Sequence, residues 1–228
     1  MSRYAVPFIT LEGVDGAGKS SHMETILAAL EPLGFQVVLT KEPGGTPLAE
    51  ELRTLLKQTQ CQPITELMLA FGSRAEHLAQ VIEPSLAEGK IVISDRFTDS
   101  TYAYQGGGAG VPVEKIQALE TMVHGHLQPN LTLFFDLPVE VAEARRNNRR
   151  VDTNDNQPDK FDDQDRAFFE NVRNAYLARV DADPSRFRVI DGAQTLEQVA
   201  EQVKTVVQSF AQDWVQAQTL SRRPRPGR

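Results

Sequence analysis

The chain has 228 residues, 40% hydrophobic and 24% charged, enough to bury a sizeable core in one domain or at most two. Lys and Arg total 24 against 31 Asp and Glu; four arginines lie in the last seven residues, so residues 1–221 carry 20 basic against 31 acidic groups, or −11, which argues against nonspecific binding to long nucleic acid while leaving room for a small anionic ligand in a local basic pocket. A lone Cys61 excludes a disulfide framework or cysteine metal cluster, no apolar stretch is long enough to span a membrane, and no signal-peptide pattern is present, so the expectation is a soluble cytoplasmic protein without membrane partners.

The first element is "AVPFITLE" (5–12), an apolar, β-branched run that reads as a buried parallel strand. It leads straight into "GVDGAGKS" (13–20), which matches G-x-x-x-x-G-K-[ST] in the strand-before, helix-after setting that motif requires. Glycines let backbone N–H groups converge on phosphate oxygens, the helix start adds positive potential, Lys19 reaches the outer phosphates and Ser20 ligates Mg²⁺. Gly13, Val14, Asp15, Gly16, Ala17, Gly18, Lys19 and Ser20 are therefore expected to hold a nucleoside triphosphate. Asp15 is the odd member, a carboxylate inside an anion site. Met23, Ile26, Leu27 and Leu30 then keep helical spacing.

A second strand, "FQVVLTK" (35–41), is followed by a looser helical pattern at Leu48, Leu52, Leu55 and Leu56. The helix expected over 64–82 carries Arg74 three residues after Phe71, on the same face. That pair suits a nucleobase, the ring stacking and the guanidinium bonding an exocyclic oxygen; the alternative is a core aromatic with a snorkelling arginine. "KIVISD" (90–95) is a third strand, with Asp95 and Arg96 at its ligand edge. Asp95 is placed to hold Mg²⁺ through water and Arg96 to bind an acceptor phosphate, the alternative being a structural pair that caps the strand. "STYAYQGGG" (100–108) adds hydroxyl, amide and aromatic groups and reads as a loop.

Helices are expected near 112–124, 138–149, 163–181 and 195–217, around strands "LTLFFDL" (131–137) and "RFRVID" (186–191). The polar run "RRNNRRVDTNDNQPDK" (145–160) cannot bury a core and reads as a mobile lid; 218–228 reads as a disordered basic tail. Alternating strands and helices imply a three-layer α/β fold with right-handed crossovers and ligands at the carboxyl edge of the sheet.

No N-K-x-D guanine-reading segment is present, and the chain has little room for the sensor motifs of a regulatory ATPase. A small-molecule kinase needs a second substrate pocket and cations around the transferred group, and the sequence offers both. A kinase for another monophosphate, and a nucleotide-binding regulatory ATPase without phosphotransfer, are the competing readings.

"EGVDGAGKSS", "KEPGGTPLAEELR", the helix with Arg74, "SDRFTDSTYAYQGGG", "PNLTLFFDL" and "AFFENVRNAYLA" together resemble thymidylate kinases, of the bacterial-like type whose catalytic arginine comes from the lid. The resemblance implies a P-loop nucleoside monophosphate kinase fold with a five-stranded parallel sheet, residues 1–217 forming a single domain, and a homodimer. It implies ATP with Mg²⁺ as phosphoryl donor and dTMP as acceptor, giving dTDP and ADP. By the same resemblance Asp15 accepts from the sugar 3′-hydroxyl, Glu42 shapes the acceptor pocket, and Arg53 and Arg96 engage the monophosphate beside Ser100. Arg74 bonds the thymine, Thr101 and Gln105 contact the base edge, and Tyr104 crowds the position of a ribose 2′-hydroxyl. The family's stacking phenylalanine lies four residues before the arginine, where this chain has Ala70, so stacking by Phe71 requires the helix face to turn by one residue. Because Gly16 follows Asp15 where other members carry an arginine, the lid must supply the catalytic cation: Lys160, Arg149 or Arg150.

Overall fold

The computed structural model describes residues 4–31, 34–153, 159–161 and 164–221, with backbone alone at 149–153 and 220–221. Five apolar segments pair as one parallel sheet: β1 (Phe8–Glu12), β2 (Val37–Lys41), β3 (Ile91–Asp95), β4 (Leu131–Asp136) and β5 (Phe187–Asp191), in the order β2-β3-β1-β4-β5. β1, β3 and β4 are buried almost throughout, as their unbroken apolar runs require. The edge strands differ from the expectation of full burial: Leu39 on β2 and Val189 on β5 are 44% and 49% exposed, because an edge strand has a neighbour on one side only.

A single 3₁₀ turn, Lys19–His22, leads into α1 (Met23–Leu30). α2 (Pro47–Gln58) starts where the Thr46 hydroxyl accepts the Ala49 N–H, with Pro47 in the first turn. α3 (Pro63–His77) continues through a wider π-type turn, Leu78–Ile82, into α4 (Glu83–Ala87). α5 (Thr98–Thr101) likewise runs into a π-type segment, Tyr102–Gly108. The remaining helices are α6 (Val113–His124), α7 (Val139–Thr153), α8 (Arg166–Ala182) and α9 (Leu196–Ser221). The helices flank the sheet, and Ile26, Leu30, Tyr176 and Val203 join β1, β3 and β4 in the main core.

Three expectations are corrected. "STYAYQGGG" is helical rather than a loop, because its glycines serve close packing: a Cβ on Gly107 would meet Ala175 Cβ at 2.6 Å and Asn171 O at 2.7 Å on α8. The first part of the expected lid is the end of α7, which runs unbroken to Thr153; residues 154–158 lie outside the described residues. α9 passes residue 217 and ends at Ser221, and the tail at 222–228 lies outside the described residues.

The topology fixes where a ligand belongs. From β1 the chain turns first to β2 and β3 on one side and later to β4 on the other, so β1 stands at the switch point. Leu11 pairs with Asp95 in register, which brings the glycine-rich loop and the Asp95–Arg96 turn to one edge.

Candidate active site

The loop after β1 is held open by backbone that excludes side chains. Gly13 and Gly16 have φ of 145° and 90°, and a Cβ on either would run into a carbonyl, of Phe135 or Ala142 respectively. Lys19 is buried, and its ammonium donates to Gly13 O (3.0 Å) and Val14 O (3.2 Å). Burial first, and the nearby Arg96 charge second, pull its pKa down to about 8. Ser20 is exposed at the start of the 3₁₀ turn.

The turn after β3 carries Arg96 in a left-handed conformation, φ 71°, rare for a non-glycine residue. Its N–H donates to Leu11 O and its carbonyl accepts from Ser94 Oγ (2.7 Å), which locks the turn to β1. The guanidinium donates from Nη1 to Ser100 Oγ and Tyr176 Oη, both at 3.0 Å, and from Nη2 to Asp15 Oδ1 (2.7 Å) and Tyr104 Oη (3.2 Å). Asp15 therefore faces the arginine expected to bind phosphate, with 41% of its side chain exposed. Beside them Asp95 Oδ1 is buried without a partner.

A second arginine is fixed from α3. Arg74 is 3% exposed, donates from Nε to Glu42 Oε2 (2.7 Å) and from Nη2 to Thr101 Oγ1 (3.1 Å), and leaves Nη1 buried without a partner. Glu42 is held from its other side by His77 Nδ1 (3.0 Å); Arg74 and His77 keep its carboxyl below the usual range against the opposing effect of burial. Arg53 donates to Pro43 O (2.8 Å), and Gln105 Nε2 reaches toward Glu66 Oε2 at 3.5 Å.

One cavity of about 670 Å³ unites these groups, running from the glycine-rich loop past Arg96, Ser100 and Tyr104 to Arg53, Arg74, Thr101 and Gln105. Asp15, Lys19, Ser20, Glu42 and Asp95 line it as well. Gly13 and Val14 do not: they are buried behind the loop's surface. Phe71 stands outside it too. It packs in a separate cluster with Leu67, Tyr102, Val111 and Ile116, 6.3 Å from the His124 ring, while Ala70 faces the cavity. The expected turn of the helix face is absent, and Phe71 lies beneath Arg74, ring to guanidinium at 4.8 Å.

The lid cations separate. Lys160 is buried against Glu66, donates toward Thr59 O (3.4 Å) and does not line the cavity, so the structure places it in an internal ion pair rather than beside the glycine-rich loop. A lysine attached to a polar segment finds this carboxylate only through the tertiary fold, 94 residues away. The side chains of Arg149 and Arg150 lie outside the described residues. Arg145, one turn earlier, lines the cavity and donates to Gly192 O (2.7 Å); Arg146 lies over the Phe169 ring at 4.5 Å.

Several contributors carry no motif of their own. Glu12, Tyr176, Phe161 and His77 all touch site residues, yet the only sequence signals were a carboxylate closing an apolar strand, a tyrosine within "AFFENVRNAYLA" and an aromatic after the lid lysine.

A family model described as "Thymidylate kinase" matches residues 11–203. The thymidylate kinase of Methylobacillus flagellatus is 53% identical over 203 residues, covering 89% of this chain and 97% of that protein. That of Pseudomonas fluorescens is 52% identical over 203 residues, with 88% and 94% covered. A crystal structure of thymidylate kinase from Ehrlichia chaffeensis superposes with a TM-score of 0.68 at 33% identity, over 89% of this chain and 98% of that one.

Proposed function

The chain belongs to the thymidylate kinase family, and from that premise we propose how its residues divide the transfer of the γ-phosphoryl group of ATP to dTMP. The observation that carries the assignment is Arg74: a buried guanidinium with one nitrogen unpaired, facing the same cavity as the glycine-rich loop. An unpaired buried donor is costly, so a base carbonyl that pairs with it is strongly selected. Arg74 thus reads the thymine, with Thr101 and Gln105 along the base edge; no aromatic at the Ala70 position stacks on it.

Arg96, Arg53 and Ser100 hold the acceptor phosphate, and Asp15 orients the sugar 3′-hydroxyl. Gly13 to Ser20 hold the ATP phosphates by backbone N–H groups, Gly13 and Val14 by shaping the loop from behind, and Lys19 exchanges its carbonyl partners for the outer phosphates. Arg149 or Arg150, on the α7 extension, supplies the lid cation. Mg²⁺ fits the donor set: Asp95 offers a buried, unpaired carboxylate oxygen and Ser20 an exposed hydroxyl, and magnesium at nucleotides takes few protein ligands. When bound it would neutralise negative charge on the phosphates.

Residues 1–217 act as one kinase domain, with the α9 helix completing it to Ser221. Leu48 and Leu55 on α2, Ile64 and Met68 on α3 and Met122 on α6 are exposed apolar residues, which supports the homodimer. No helix among the described residues is long and apolar enough to cross a membrane, in keeping with a cytoplasmic enzyme. An ADP-release assay across dTMP, dUMP, CMP, UMP, AMP and GMP tests the assignment. dTMP should give the highest kcat/KM, and ADP release that is equal for all six or absent for dTMP would overturn it.

A further inference from the structure

Glu12 ends β1 one residue before the glycine-rich loop and is fully buried, yet it does not line the cavity and, among the described residues, forms no ion pair. Its Oε1 accepts the Phe97 N–H at 2.7 Å, directly after the strained Arg96 turn. Its Oε2 accepts two hydroxyl protons, from Ser100 at 2.6 Å and from Tyr176 on α8 at 3.0 Å. Those two hydroxyl oxygens are the acceptors for Arg96 Nη1.

Each hydroxyl has one proton. While Glu12 is ionised, both protons point at it, and the lone pairs of Ser100 and Tyr176 are left for the guanidinium. A proton on Oε2 removes the negative charge near Arg96 and must be donated to one hydroxyl, whose own proton then turns either to the other hydroxyl, 2.8 Å away, or toward Arg96 Nη1, so the two acceptors are no longer held in one orientation. A proton on Oε1 would oppose the Phe97 N–H instead. We propose that Glu12 is a positioning residue for Arg96, its carboxylate orienting Ser100 and Tyr176 so that the guanidinium is held ready for the acceptor phosphate.

The protonation state is poised to matter near neutrality. Burial, and secondarily the charge of Asp99, raise the Glu12 pKa to about 7 against the pull of the Ser100 hydroxyl and Arg96. The charged groups around it are Asp99 on α5, itself paired with Arg179 and Arg186, then Arg96, and Lys19 across the loop; Tyr176 stays protonated because burial raises its pKa well above the ordinary range. As pH falls through about 7, Arg96 loses its oriented acceptors.

The inference rests on Arg96 binding the dTMP phosphate, and the experiment separates the two. kcat/KM for dTMP is measured from pH 6 to 8.5 in the unsubstituted enzyme, in Glu12→Gln and in Arg96→Lys, with KM for ATP as control. Glutamine imitates the protonated carboxyl. The ratio of unsubstituted enzyme to Glu12→Gln should be about tenfold at pH 8.5 and shrink to about twofold at pH 6. The second ionisation of dTMP, near pH 6, is common to both proteins and cancels. KM for ATP should be unchanged. A ratio independent of pH, or an equal rise in KM for ATP, overturns the inference. If Arg96→Lys leaves KM for dTMP unchanged, the reading of Arg96 itself fails; if it raises that KM while the ratio stays flat, only Glu12 is misassigned. Should Glu12→Gln not fold, Tyr176→Phe keeps the ring against Phe134 and removes one donor onto Glu12. Its acidic limb should move to higher pH with KM for dTMP raised about fivefold, and an unmoved limb contradicts the proposal.

Discussion

Arg74 and Arg96 face the same cavity and are built on opposite plans. Arg74 rises from the middle of α3 and is paired with a buried carboxylate that His77 holds in turn, so the only freedom left is one unpaired nitrogen. Arg96 stands on a strained turn and is shared among three hydroxyls and Asp15, whose side chain is 41% exposed. A neutral base is read by the direction of hydrogen bonds, so its reader must be fixed beforehand. A phosphate brings its own charge, so its reader can wait on an exposed carboxylate and exchange partners when the substrate arrives.

The largest effect is expected on the fixed side. Glu42→Ala leaves Arg74 buried without its carboxylate, and the loss of a buried partner costs about 3–5 kcal/mol. In a chain of this size that corresponds to a melting temperature lower by about 10 °C. Thermal denaturation checks it, and an unchanged midpoint would mean that Arg74 is not locked by Glu42. Asp15→Asn sharpens the contrast from the other side. Its pair with Arg96 is partly solvated, so the midpoint should barely move, while turnover falls about a hundredfold because an uncharged amide oxygen replaces the carboxylate as acceptor for the sugar hydroxyl, with ATP affinity retained.

Lys19 is a further group that must release internal partners. Its pKa of about 8 lies below that of an unfolded lysine, so the neutral form gains in the unliganded protein above pH 8, whereas phosphates require the ammonium. Binding of ATP at pH 9 should therefore take up a proton, and affinity should fall about tenfold per pH unit above 8. Calorimetry in buffers of different ionisation enthalpy measures both, and zero uptake would refute the exchange. The smallest effect concerns Tyr104, buried edge-on against Phe161 beside Arg96. Shape alone discriminates an extra hydroxyl by at most about a hundredfold, so Tyr104→Ala should improve ribothymidine monophosphate relative to dTMP by about tenfold. Competition between the two substrates reads it.

The two arginines also mark how far sequence reasoning reaches. The strands and the glycine-rich loop were legible because unbroken apolar runs and a strict spacing leave few alternatives. Arg96 followed from its place at the end of such a run. The helix around Arg74 was legible, its phase was not: one residue is about 100° of helix, enough to send Phe71 into the second core cluster and Ala70 into the cavity. The 100–108 segment failed because three consecutive glycines usually break helices, and only the approach of α8 to Gly107 and Gly108 and of Ile116 on α6 to Gly106 gives them a reason there. Glu12 and Lys160 were illegible as site and ion pair for a common reason, since the partners of their carboxylate and ammonium stand 85 or more residues away and are joined by the fold.

The division of labour is tested most directly by kcat/KM for dTMP and dCMP in Arg74→Lys and Arg96→Lys. Lysine keeps the charge at each place and removes the planar fork. Arg74→Lys should collapse the preference for dTMP over dCMP by about a hundredfold, because the base loses its oriented donor. Arg96→Lys should lower both substrates together and leave their ratio intact. A preference that survives Arg74→Lys, or one that moves with Arg96→Lys, would contradict the separation of base and phosphate recognition between the two arginines.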